Sequence, residues 1–177
     1  DSESWFARSR ESLELSDVLQ LGKRPTPWRV LPSMQPAPGM YNEAVVRGLD
    51  FFVSELGKRN MTCVLMLGNM WPWSGGFAQY VSWAGGGPIP YMPPGDSTWD
   101  EYQNYASRFY NDERAIEMSR AHVRYVLQRV NSMTGVPYRD DPTIMAWELA
   151  NEPRPMNKGA AAFREWIGRP PIGKSDN

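Results

Sequence analysis

Thr143-Ile144-Met145-Ala146-Trp147-Glu148-Leu149-Ala150-Asn151-Glu152-Pro153-Arg154 is the stretch on which the reading of this chain turns. Its first eight residues are mostly apolar, as expected of a strand covered on both faces in a parallel sheet. Asn151-Glu152-Pro153 then ends it, because proline cannot donate to a sheet ladder. A carboxyl group at the end of a buried strand is partly desolvated, which favours its protonated form and suits it to donate a proton. Glu152 is therefore the candidate general acid/base. Asn151 stands beside it to hydrogen-bond a substrate hydroxyl, Pro153 stiffens the turn, and Arg154 is placed to orient the carboxylate. A bare Asn-Glu-Pro also suits a plain exposed acidic turn, so the rest of the chain must decide.

A second strand of the same kind lies upstream at Met61-Thr62-Cys63-Val64-Leu65-Met66-Leu67. Before it, Asn42 reads as an N-cap, with Val45, Val46, Leu49, Phe52, Val53 and Leu56 at helical spacing and Gly57 to Asn60 as the stop. A helix followed within a few residues by a parallel-type strand is half of a βαβ unit. Gly68 to Ser97 reads as one long loop, and loops of that length are uncommon unless functional or disordered. Helices are expected over Trp99–Phe109, over 112–134 with Ala115, Met118, His122, Tyr125, Val126 and Val130 as the buried stripe, and over Gly159–Ile167. Mildly helical Ser2 to Gln20, a short strand over Thr26–Pro32 and a loop from Ser33 to Tyr41 complete the order. The fold class is α/β. Both strands run into loops of unusual chemistry, as at the carboxyl face of a (β/α) barrel.

The bulk numbers exclude several function classes. Nineteen basic and twenty acidic side chains leave a net charge of −1, with no basic stripe for nucleic acid. Apolar runs fall far short of the roughly 18 residues of a membrane span. Asp1-Ser2-Glu3-Ser4 lacks the layout of a secretory signal. Cys63, the single cysteine, reads as a small buried hydrophobe and His122, the single histidine, as a packed helix residue, which excludes a Cys-rich or multi-His metal site. Asp140-Asp141 before Pro142 reads as a turn. Aromatic residues make up 12% of the chain, and many sit on Gly/Pro-rich loops such as Trp71-Pro72-Trp73-Ser74-Gly75-Gly76. Loop aromatics suit a carbohydrate cleft, since sugar rings stack their C–H faces on indoles; they suit protein interfaces too.

Trp147-Glu148-Leu149-Ala150-Asn151-Glu152-Pro153-Arg154 closely resembles the strand-4 signature of glycoside hydrolase family 5, in its β-mannanase branch. Leu56 to Met61 and Leu67-Gly68-Asn69-Met70-Trp71 look like helix 2, strand 3 and the substrate loop of those enzymes. Ser74-Gly75-Gly76-Phe77-Ala78-Gln79-Tyr80 with Trp83-Ala84 looks like their Gly-Gly loop, Gln35 to Asn42 like the loop into helix 2, and Asp141 to Trp147 like the approach to strand 4. The likeness spans about Pro32 to Arg154. It implies a (β/α)8 TIM-type barrel and a retaining endo-β-1,4-mannanase without cofactor, acting on β-mannan polysaccharide or oligosaccharides. Glu152 would be the acid/base. Asn151, Asn69, Trp71, Trp73 and Arg154 would form the substrate-binding set. Arg29 is where the family's strand-2 arginine would be sought.

Such barrels usually need about 250 residues, and the chain has 177. The family's nucleophile sits on strand 7, and no candidate for it follows Glu152. Glu148, four residues earlier at ~3.3 Å per residue, lies about 13 Å deep in the barrel and reads as an interior structural carboxylate. The expectation is one partial barrel domain over 1–177, with irregular ends at 1–31 and 168–177. An open strand edge would favour self-association, although the oligomeric state is not legible. Alternatives are an inactive carbohydrate-binding relative, or another family 5 β-glycanase such as a cellulase; the Gly-Gly and Pro-Ala-Pro-Gly loops weigh against the latter. A polymeric substrate implies a secreted, extracellular protein.

Overall fold

The structure, a computed structural model, describes residues 31–156 and 159–168. The helix expected over Ser2–Gln20, nearly all of the Thr26–Pro32 strand, Arg29 and the tail beyond 168 lie outside the described residues.

Helix α1 spans Glu43–Lys58, and the Asn42 side chain accepts the Ala44 amide at 3.1 Å, as the capping pattern predicts. Its buried face, with Val46, Leu49 and Val53, packs beside strand β1, Cys63–Met66. Cys63 is buried in this core. Burial first, and Asp141 second, push its thiol pKa up to about 11, so it packs as an inert hydrophobe. Strand β2, Ile144–Glu148, pairs parallel to β1, with Leu65 opposite Trp147 and Met66 opposite Glu148.

Both strands read in the sequence as covered on two faces, and here the structure differs. Leu65 and Trp147 belong to the core shared with α1 and with Val123, Tyr125 and Val126. On the other face Val64 and Met66 are half-buried, while Ala146 and Glu148 are exposed. Glu148 is thus exposed, not enclosed as an interior carboxylate. Met145 and Leu149 also stand 68% and 56% exposed. Among the described residues the sheet ends at β2, so no strand lies along its outer edge.

The expected long loop is partly helical. It holds a 3-10 turn at Pro72–Ser74, helix α2 at Gly76–Val81 and a π turn at Ser82–Gly86. Every α2 residue is buried, so no amphipathic stripe marks it in the sequence. Helix α3, Trp99–Ala106, opens on a capping box between Thr98 and Glu101, and a 3-10 turn at Ser107–Asn111 follows. Helix α4, Glu113–Gln128, is capped by Asp112 and stops six residues before Thr134. Arg129 leaves the helix there to reach Asp50 and Glu43, which leaves Val130 53% exposed rather than on the stripe. His122 is buried on α4, as expected. Helix α5, Ala160–Gly168, lays Phe163 and Trp166 on an aromatic core with Phe77, Phe109 and Tyr110.

A buried polar knot ties α1 to the segment leading into β2. The Asp50 carboxylate is fully buried and accepts from Arg129, Ser132 and the Tyr138 hydroxyl, the last at 2.7 Å. Burial, the largest influence, opposes its ionisation, yet the hydrogen bonds from Arg129, Tyr138 and Ser132 together hold its pKa below the usual carboxylate value.

Candidate active site

The pairing of β1 with β2 continues beyond the strands and builds the site. Leu67 N–H donates to the Glu148 carbonyl at 2.8 Å, Asn151 N–H to the Gly68 carbonyl at 2.9 Å, and Met70 N–H to the Asn151 carbonyl at 3.1 Å. Asn69 and Asn151 therefore stand side by side at the carboxyl ends of neighbouring parallel strands. A Cβ on Gly68 would sit 3.0 Å from the Leu149 carbonyl oxygen, so the two loops meet at backbone contact distance.

The Gly-Gly pair closes against the same corner. Gly75 and Gly76 hold φ of 83° and 59°, the left-handed region open to glycine. A Cβ on Gly76 would run into the carbonyl oxygens of Asn69 and Trp71. The turn brings Phe77 N–H to the Asn69 carbonyl at 2.8 Å.

Glu152 follows Asn151 with φ of 44°, an uncommon conformation for a residue with a side chain. Its Oε2 accepts the Trp71 indole N–H at 2.8 Å and the Arg154 guanidinium at 3.3 Å. The side chain is 53% exposed, so the desolvation expected at a buried strand end is not found. Only Trp71 and Arg154 flank it in the hydrogen bonds of the described residues.

The predicted set converges on one corner. Asn69 is 2% exposed, and its Oδ1 accepts both the Trp71 backbone N–H at 3.0 Å and the Asn151 Nδ2 at 3.3 Å. Asn151 is half-buried at the mouth. Arg154 places its guanidinium 5.2 Å from the Trp71 ring centre. Trp71 is 8% exposed and stacks on Trp73 at 5.5 Å and on Tyr102 at 6.4 Å. Trp99 meets its edge at 5.7 Å and remains 42% exposed. Sequence reading missed Trp99 and Tyr102, placing them merely on a helix. The available signal was Trp99 directly after a Thr98…Glu101 cap, where a bulky ring at a first helical turn borders a loop.

A half-exposed carboxylate, an amide and an open indole on one strand-end corner can donate a proton, hold a hydroxyl and stack a flat apolar surface. Among the described residues no group of three or more His, Cys, Asp or Glu side chains is arranged to hold a metal ion.

Comparison with known proteins places this chain in a family. Mannan endo-1,4-beta-mannosidase 4 of Solanum lycopersicum is 37% identical over 135 residues, which are 76% of this chain and 31% of that protein. A variant of the glycoside hydrolase family 5 mannosidase from Rhizomucor miehei, in complex with mannosyl-fructose, superposes with a TM-score of 0.74 at 44% identity, covering 84% of this chain and 36% of that one. The endo-1,4-beta-D-mannanase of Thermotoga petrophila RKU-1 gives 0.61 at 34% identity, over 76% and 35%. The chain thus spans about a third of the length of these relatives. The family model described as GH family 5 beta-mannosidase-like matches residues 18–170, and the chain belongs to that family.

Proposed function

We propose that this chain carries the proton-donating side of a site that cleaves internal β-1,4-mannosidic bonds in mannans by a retaining double displacement. The observation behind the reading is Glu152, held through one oxygen at the carboxyl end of β2 with Asn151 beside it. In the first step Glu152 gives its proton to the glycosidic oxygen as that oxygen leaves the anomeric carbon, and a second carboxylate bonds to that carbon. In the second step Glu152, now ionised, takes a proton from water as the water displaces that carboxylate. Retention needs the nucleophile about 5–5.5 Å from the acid/base. We assign no residue of this chain to it.

In this reading Asn151 holds a hydroxyl of the sugar at the cleavage point, and Trp99 offers the open ring of the aromatic wall. The uncovered inner face of Val64, Met66, Ala146 and Glu148 supports a larger (β/α)8 barrel, with these residues lining its interior. Mannan as substrate is supported by the tomato relative's name and by the mannosyl-fructose complex. An extracellular place of action belongs to the same reading, because a polymeric substrate does not enter cells.

Reducing-sugar release from β-mannan tests the proposal. Glu152→Gln is expected to lower release by about 10²–10⁴-fold, and release equal to the wild type would overturn it. No release from either, with mannan still bound, would mean that Glu152 sits in a half-built site or in an inactive carbohydrate-binding relative.

A further inference from the structure

We propose that Trp71 acts on the sugar only through Glu152: its indole N–H fixes Oε2 as the hydrogen-bonded oxygen, so the transferable proton resides on Oε1. This rests on Glu152 being the acid/base. A stacking platform must show the sugar an open ring face, and Trp71 shows none. It is 8% exposed and packed against Trp73, Tyr102 and the Trp99 ring, with the Arg154 guanidinium 5.2 Å from its centre. What it does offer is one N–H, 2.8 Å from Oε2.

Arg154 donates to the same oxygen at 3.3 Å. A carboxylic O–H at Oε2 would point a proton at two donors, so protonation is directed to the other oxygen. Oε1 receives neither of these bonds. Trp71 is itself held by Asn69, whose Oδ1 accepts its backbone N–H at 3.0 Å and the Asn151 amide at 3.3 Å. Asn69 is 2% exposed, so it too works through its neighbours. Both are positioning residues. They join the loops that leave β1 and β2 at the corner where Glu152 stands.

The test uses the 177-residue chain with indole nitrogens labelled, Trp71→Phe identifying the Trp71 signal. Hydrogen exchange of the Trp71 indole is expected to be slow in the wild type and in Glu152→Gln, whose amide oxygen still accepts. It is expected to be about tenfold faster in Glu152→Ala. Equal rates in wild type and Glu152→Ala would overturn the proposal. Trp71→Phe keeps an aromatic ring and loses the donor, so mannohexaose Kd is expected within about twofold of wild type. A loss of about tenfold or more would make Trp71 a sugar contact and also overturn it. A wild type that binds no mannohexaose refutes the mannan reading instead, and indole exchange still decides whether Trp71 holds Glu152.

Discussion

Trp71 Nε1 donates to Glu152 Oε2 at 2.8 Å, joining residues 81 positions apart in the chain. The bond exists because β1 and β2 pair in parallel register and release their loops at the same end. It ties the loop after β1 to the turn after β2, so the geometry of Glu152 depends on both strands.

The exposed member of the aromatic cluster is Trp99, not Trp71. Trp99→Ala is expected to weaken mannohexaose binding by about tenfold, the scale of one aromatic contact. Circular dichroism should be unchanged, since the ring is 42% exposed. Calorimetric titration checks this, and equal affinity would remove Trp99 from the cleft.

Asp50→Ala is expected to cost about 3–5 kcal/mol, because it leaves the Arg129 guanidinium, 12% exposed, without its buried partner. Urea denaturation reads the loss as a lower midpoint. Because the folded pKa of Asp50 lies below 3.8, its ionised form adds stability above that pH. This contribution disappears as pH falls through the folded value.

His122 gives a second pH dependence. Burial lowers its pKa from 6.5 to about 4, with the Tyr41 hydroxyl 3.3 Å from Nδ1. The unfolded chain binds this proton first, so stability is full above about 6.5 and falls as pH drops towards about 4. Thermal unfolding between those limits is expected to show a falling Tm that His122→Phe flattens. An unchanged slope would mean that His122 is not buried as the neutral form.

Much of this was legible in the sequence. Asn42 announced α1, the apolar runs announced both strands, and Asn151-Glu152-Pro153 marked the strand end where Glu152 stands. Helix α2 was not legible, because a helix buried on all sides carries no periodic stripe and Gly75-Gly76 reads as a breaker. The end of α4 was missed because Arg129 obeys a distant acid, Asp50, rather than its own helix. Trp71 could be placed at the cleft from its loop, but its withdrawal behind Trp99 depends on contacts with Tyr102 and Trp73 that no local pattern encodes.

The most direct test of the central claim is a mannohexaose titration followed through side-chain N–H resonances of the chain. The account predicts saturable shifts at the Asn151 amide, next to Glu152 in the chain, and at the indole of Trp99, whose ring meets Trp71. Absence of saturable shifts at both, or shifts confined to residues at the amino ends of β1 and β2, would contradict a mannan site at Glu152.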